Sequence, residues 1–358
     1  MMRKTMAMVL ALTMICSATA CSKAAETPKP ETTAPADSAA PSEAKSAEPE
    51  KSNKVVVYTA APTNLYEAAI EGFVAKTGIT VEIISAGTGE LTKRIQAEAG
   101  NPLGDVMWGG RSTALSSILD NLEEYTSPND EAVYDAYKNA NNNKKLTPFT
   151  IQVNSIFVNK DLAGDIVIDG YGSLTNPALK GKISFADPAK SSSSTESLVN
   201  ILFAMGKGDP EKGWEFVKEF IANLDGKIQG SSSAAYKNVA DGEYTVGLTN
   251  ESNGITYKLS GANVEVVYAK EGVIIKTDNV ALIKGCKNSE NAKLFIDYIT
   301  SLEFQSKLEK MSMRSVRKDV KLNTMLPLEQ IPTAKEDSEW VAAQGTGIKD
   351  KFADLFTS

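Results

Sequence analysis

The stretch from residue 54 to 108 constrains the fold most, because it alternates strand and helix patterns at the spacing of a parallel α/β sheet. KVVVYT at 54–59 is a near-continuous β-branched run, as a strand buried on both faces requires. After a turn at 60–64, Tyr66, Ile70, Phe73 and Val74 mark one helical face that ends at Thr77-Gly78. A second strand is predicted over 79–85, then the turn Ala86-Gly87-Thr88-Gly89 and a helix with Leu91, Ile95 and Ala99 on one side. Gly100 and Pro102 close that helix, and a third strand over 105–108 ends at Gly109-Gly110. Such a succession gives right-handed crossovers, and ligands gather at the carboxyl ends of its strands. Those ends bring forward Thr59 and Thr63, then Ser85, Thr88 and Gly89, then Trp108, Gly110 and Arg111. Trp108 suits a core as well as a contact. Arg111 suits an anion clamp as well as a solvated helix start.

The run TPFTIQVNSIFVNK at 147–160 alternates for longer than one strand needs, as a strand crossing between two lobes would. Beyond it, strands at 183–185, 227–229 and 244–248 and a helix over 214–224 repeat the α/β logic. Strands at 264–268, 273–275 and 280–283 follow, then a helix over 291–308 with Phe295, Ile299, Leu302 and Phe304 facing inward. From 318 onward the pattern is weaker, with helices expected around Trp340 and over 352–356. Residues 54–150 with 262–305 are expected to form one lobe, and 151–261 with 306–358 the other.

In FADPAKSSSSTESLVNILFAMG, the hydroxyls of Ser191, Ser192, Ser193 and Ser194 open a helix directly behind a short strand. Leu198, Val199, Leu202, Phe203 and Met205 recur at helical spacing, and Gly206 supplies a stop. The first amides of a helix lack intrahelical partners and its N-terminal dipole end is positive, so an anion fits there. The plainer alternative is that these serines only cap the helix.

Composition excludes several functions. Formal charge is −7, and it becomes −9 once residues 1–20, which hold Arg3 and Lys4 and no acid, are removed. So acidic a chain offers no footprint for nucleic acid. It contains no histidine, which removes the commonest general base and the commonest transition-metal ligand and rules out a Ser-His site. Of three cysteines, Cys16 and Cys21 fall in the leader, so no intrachain disulfide is possible beyond it, and Cys286 is read as a structural thiol. GTGELT lacks the third glycine of a dinucleotide fingerprint. Asp187, Glu251 and Glu271 are too dispersed for a metal site and are read as candidate ligand contacts, and no cofactor is expected.

Residues 1–20 carry two basic residues, the apolar run 6–15 and small residues before Cys21, the pattern of a secretory signal peptide. Ala18-Thr19-Ala20-Cys21 resembles a bacterial lipobox, with Ala18 where leucine is usual, and implies lipidation of Cys21. Residues 22–53, rich in Ala, Pro, Glu, Lys, Ser and Thr, are expected to be a disordered spacer. The domain is then held near a membrane surface by a lipid anchor, outside the cytoplasm.

VVVYTAAPTNLYEAAIEGFVAKTGI, SAGTGEL, GDVMWGG, NSIFVNKDL, ADPAKSSSS, ADGEYTVGLTNE, VYAKEG and VALIKGCKNSENAKLFIDYITS, in that order, resemble the extracytoplasmic solute-binding proteins of ABC importers. The similar group contains iron(III)-binding and phosphosugar-binding or aminoethylphosphonate-binding members. The resemblance implies an α/β, two-lobed periplasmic-binding-protein-like fold of type II. It also implies a hinge of crossing strands, a cleft that closes on one solute, a membrane permease as partner, a monomer, and no enzymatic activity. Iron-binding relatives hold the metal with a histidine, a glutamate and a tyrosine pair. Pro62, Gly110 and the pair Glu251-Ser252 stand at those places. What survives is the part that holds the accompanying anion: the serine helix mouth, Ser232 within Gly230-Ser231-Ser232-Ser233, and Asn250. The expected solute is therefore a small anion, a phosphorylated sugar or a phosphonate. Thr59, Thr63, Thr88 and Gly110 would hold the rest of it, and Glu251 or Glu271 would take hydroxyls or an amine. An iron carrier with a non-standard ligand set, and an adhesin or hydrolase on the same fold, are the alternatives.

Overall fold

A computed structural model describes residues 53–139 and 143–358. The expected leader, the expected lipidation of Cys21 and the expected spacer up to residue 52 lie outside the described residues. Strand β1 (Lys54–Thr59) buries every residue after Lys54 and pairs in parallel with β2 (Thr80–Ser85) on one side and β3 (Val106–Arg111) on the other. Helix α1 (Thr63–Thr77) crosses between β1 and β2, and α2 (Thr88–Ala97) between β2 and β3. The buried stripe of α1 is Leu65, Ala69 and Phe73: of the predicted Tyr66, Ile70, Phe73 and Val74, Phe73 is buried, Tyr66 and Ile70 are each one residue out of step, and Val74 is exposed. Gly78, at φ 72°, stops α1 in the left-handed region, and its N–H donates to the Val74 carbonyl.

After α3 (Ser112–Leu115) and β4 (Leu122–Glu123), strand β5 (Thr147–Asn159) runs through two sheets. Short α4 (Lys160–Ala163), β6 (Ile183–Ser184), α5 (Ser192–Met205), α6 (Pro210–Leu224) and α7 (Ser232–Ala240) follow. Next come β7 (Val246–Asn250), α8 (Glu251–Leu259), β8 (Val264–Val267) and β9 (Ile275–Ile283). Residues 147–153 of β5 pair antiparallel with β9, and residues 154–158 with β7. Since β9 also pairs with β3, and β7 with β6, the order is β2-β1-β3-β9-β5-β7-β6. The expected parallel pairings hold for β1–β3 and for β6 with β7, while β5 and β9 run antiparallel to their neighbours. β8 pairs with residues 156–159 of β5, so the chain re-enters the first half of the sheet only at β9. β9 is one continuous strand where the sequence suggested two pieces with a polar gap at 276–279. Residues 227–229 contribute only an isolated bridge between Gln229 and Ala186.

Each half has its own core. In the first, Phe295 meets Phe73 and Trp108 edge-on, and Phe149 meets Trp108 likewise. The helix expected over 291–308 is broken at Ser301, which is extended and accepts the Phe304 N–H to start α10 (Leu302–Gln305) after α9 (Ser289–Thr300). Phe295, Ile299 and Phe304 are fully buried, but Leu302 faces out at 46% exposure, because the break rotates it off the stripe. β10 (Arg314–Ser315) then joins β5, and α11 (Ser338–Gln344) and α12 (Gly347–Thr357) close the chain. Phe352 of α12 packs on Phe185, so the weakly patterned C-terminal part belongs to the second core.

In that second core α5 is buried almost all round, as a central helix must be. Helix α6 crosses it at Gly213, where a Cβ would stand 2.6 Å from Leu202 Cα. Gly213→Ala is therefore expected to cost about 1–3 kcal/mol by forcing the helices apart, although alanine favours helix. Denaturant unfolding would measure it, and a stabilised variant would contradict the close packing.

Candidate functional site

A cleft of about 560 Å³ lies where the two halves face each other across β5 and β9. Ala60, Ala61, Pro62, Thr88, Gly110 and Arg111 line it from the first half, and Ser192, Ser193, Asn250 and Ser252 from the second. The starts of α1, α2, α3, α5 and α8 thus converge on one space, and their positive ends add there. The residues preceding α1, α2 and α8, namely Pro62, Gly87 and Asn250, make no side-chain cap hydrogen bond. Their first amides are free of that competition.

α5 is built differently. Ser191 is its cap, its Oγ accepting the Ser194 N–H at 3.2 Å and lying 3.1 Å from Ser193 Oγ. Ser191 and Ser194 are buried in this cap, whereas Ser192 and Ser193 line the cleft. The amides of Ser192 and Ser193, as the first two of the helix, have no intrahelical acceptor. On the opposite wall Gly110 holds φ 102°, and a Cβ there would stand 2.8 Å from Thr88 Cγ2. That glycine is fixed both by its backbone and by the approach of α2. Trp108 is both wall and core: it lines the cleft, is fully buried, and its Nε1 has no acceptor among the described residues.

Three charged side chains line the cleft: Arg111 from β3, Glu196 from α5 and Asp278 from β9. Arg111 and Glu196 form an ion pair between the two halves. Asp278 Oδ2 accepts a hydrogen bond from Gln152 Nε2 at 2.9 Å. Burial lowers the Arg111 pKa, and the carboxylates of Asp278 and Glu336 oppose that shift. Burial raises the Asp278 pKa, and Arg111 and the Gln152 hydrogen bond oppose it.

Of the expected contacts, the structure brings Thr88, Trp108, Gly110, Arg111, Ser192, Ser193 and Asn250 together. The others stand elsewhere. Thr59 is buried, and its Oγ1 accepts the Ala61 N–H. Thr63 takes the Tyr66 hydroxyl, while Ser85 and Gly89 are exposed outside the cleft lining. Asp187 is turned to its own loop, accepting the Ala189 N–H and pairing with Lys190. Ser232 sits at the mouth of α7, capped by Ser231, and is not part of the lining. Glu251 and Glu271 are corrections. Glu251 is 2% exposed and held by Arg314 and the Tyr268 hydroxyl, and Glu271 accepts the amides of Tyr171 and Gly172. Neither carboxylate is left for a solute. Among the described residues, no group of three or more His, Cys, Asp or Glu side chains converges as a metal site.

Gln152, Glu196 and Asp278 were not expected in the cleft. Gln152 stands between buried neighbours on β5 and looks like a solvent-facing position in sequence, and Asp278 lies in the polar interruption of β9. Glu196 lies four residues into α5 from Ser192, so helical spacing was the signal that could have found it.

Known proteins bear on this geometry. The chain is 24% identical over 278 residues to Iron uptake protein A1 of Synechocystis, covering 71% of this chain and 72% of the relative. It is 23% identical over 265 residues to a putative 2-aminoethylphosphonate-binding periplasmic protein of Salmonella typhimurium, covering 71% and 75%. The solved structure of the periplasmic binding protein AfuA from Actinobacillus pleuropneumoniae, with exogenous fructose-6-phosphate bound, superposes with a TM-score of 0.67 at 26% identity. It covers 85% of this chain and 98% of its own. The fold is that of the type II periplasmic binding proteins. Residues 68–337 match the family described as bacterial extracellular solute-binding protein, and the chain belongs to that family.

Proposed function

We propose that this protein captures a small solute bearing a phosphate or phosphonate group in the cleft and delivers it to the permease of an ABC import system. The observation that carries this reading is the serine mouth of α5, with Ser192 and Ser193 facing the cleft and three other uncapped helix starts opposite or beside it. An anion there gains backbone amides and hydroxyls without displacing protein contacts. Thr88, Gly110 and Asn250 complete the surround, and Arg111 joins it once it leaves Glu196. The half built on β1, β2, β3 and β9 and the half built on β6, β7 and β8 act as the two closing lobes, and the protein works as a monomer tethered through a lipid on Cys21. Its task is binding and release, without turnover.

The names of the Salmonella relative and of the fructose-6-phosphate complex support a phosphorus-bearing solute. The Synechocystis relative's name favours iron as the second reading. Calorimetry separates them. Hexose phosphates or aminoethylphosphonate should bind, and Ser192→Ala with Ser193→Ala should weaken that binding about tenfold while leaving the melting temperature of the free protein nearly unchanged. Micromolar Fe(III) binding with no response to either phosphorus compound would replace this reading with the iron one. Equal affinity in the double variant would return the serines to simple caps.

A further inference from the structure

The charged lining of the cleft is unbalanced. It contains one cation, Arg111, and two carboxylates, Glu196 and Asp278. Arg111 is engaged by Glu196 in the ion pair across the cleft. Lys276, the next cation along β9, lies 2.7 Å from Glu336 and is neutralised there. Among the described residues Asp278 forms no ion pair, and the hydrogen bond it accepts comes from the neutral amide of Gln152. Arg111, the cross-strand neighbour of Asp278 on β3, attracts it without pairing with it, so one guanidinium serves two carboxylates at the cleft floor. Burial there works against the charge of Asp278.

We propose that Asp278 is a specificity-determining residue that receives a cationic group of the solute, so that the solute is a small zwitterion with a phosphate or phosphonate at one end and a primary amine at the other. This rests on the anion reading of the α5 mouth. A purely anionic solute would add its charge to a lining that already carries one surplus negative charge. A sugar hydroxyl can donate to Asp278 but brings no compensating charge. An ammonium does both, with three donors on a compact point charge. It would leave the Arg111–Glu196 pair free either to stay closed or to hand Arg111 to the anion.

The test is calorimetry on the purified protein with 2-aminoethylphosphonate, ethylphosphonate, glucose 6-phosphate and propylamine. The expected result is that 2-aminoethylphosphonate binds about 10- to 100-fold more tightly than ethylphosphonate. Asp278→Asn, which keeps the shape and a partner for Gln152, should erase that preference without weakening ethylphosphonate. Equal binding of the two phosphonates, or a preference that survives Asp278→Asn, overturns the amine assignment and leaves the anion reading standing. Tighter binding of glucose 6-phosphate than of either phosphonate overturns it as well. Propylamine binding as tightly as 2-aminoethylphosphonate, with ethylphosphonate silent, keeps the Asp278 subsite and removes the anion reading instead. Silence of all four removes both. Should Asp278→Asn fail to fold, the four-solute comparison on the unaltered protein still decides.

Discussion

Arg314→Ala is expected to lower the free energy of unfolding by about 3–5 kcal/mol, the range for breaking a buried ion pair from one side. The side chains of Arg314 and Glu251 are 1% and 3% exposed. Arg314 Nε donates to Glu251 Oε2 at 3.0 Å and Nη2 donates to Oε1, while Nη1 donates to the Leu326 carbonyl at 2.7 Å. The Tyr268 hydroxyl also donates to Glu251 Oε1. Burial works against the guanidinium's charge, but Glu251 and Tyr268 more than restore it, so its pKa rises above the usual arginine value. Alanine would leave Glu251 charged, buried and held by one hydroxyl, with the Leu326 carbonyl losing its donor. The cost therefore comes from what remains, not from the attraction lost. If so, pairing Arg314→Met with Glu251→Gln should recover part of it, since neither partner then leaves a naked charge. Urea midpoints at constant m-value would measure both. A loss under about 1 kcal/mol for Arg314→Ala would show that water reaches Glu251 when the arginine is gone.

The same pair shows what sequence could and could not deliver. The alternation from β1 to β3 was legible because both of its periods are local, and the length of β5 announced a strand shared by two sheets. The α5 mouth was legible for the same reason: hydroxyls precede a helical stripe within one stretch of chain. Glu251 and Glu271 looked available because a sequence displays an acid without its partner. Arg314 is 63 positions from Glu251, and the amides that hold Glu271 are 99 and 100 positions away. The cleft floor was hidden for the opposite reason. Residues 276–279, KTDN, interrupt the apolar run of β9 and look like a turn. They are the place where a continuous strand passes from one half to the other with its polar side toward the cleft. Asp278 and Gln152 acquire a meaning only from the antiparallel pairing of β9 with β5.

Ser193→Asp is expected to separate binding from stability. A carboxylate in the first turn of α5 is worth about 0.3–1 kcal/mol to the helix. Glu196, three residues on, opposes it by about 0.2–0.5 kcal/mol as a like charge on the same face. The melting temperature should therefore hardly move. For a bound phosphate or phosphonate the sign is reversed, because two unit charges about 4 Å apart repel by about 4 kcal/mol at an effective dielectric near 20. Even half of that weakens binding about 30-fold. Ser232→Asp supplies the control. Ser231, Ser232 and Ser233 open α7 with the same geometry as 191–193, the Ser231 hydroxyl accepting the Ala234 N–H at 3.2 Å and lying 3.1 Å from Ser233 Oγ. Ser232 does not line the cleft. The two substitutions put the same charge in the first turns of two similarly capped helices, at the second residue of α5 and the first of α7, and of the two only Ser193 lines the cleft. A loss of affinity for the phosphorus-bearing solute at 193 but not at 232 would assign the anion to α5. Equal losses at both would bring Ser232 back as a contact, made when the cleft closes, and no loss at either would take the anion away from both serine clusters.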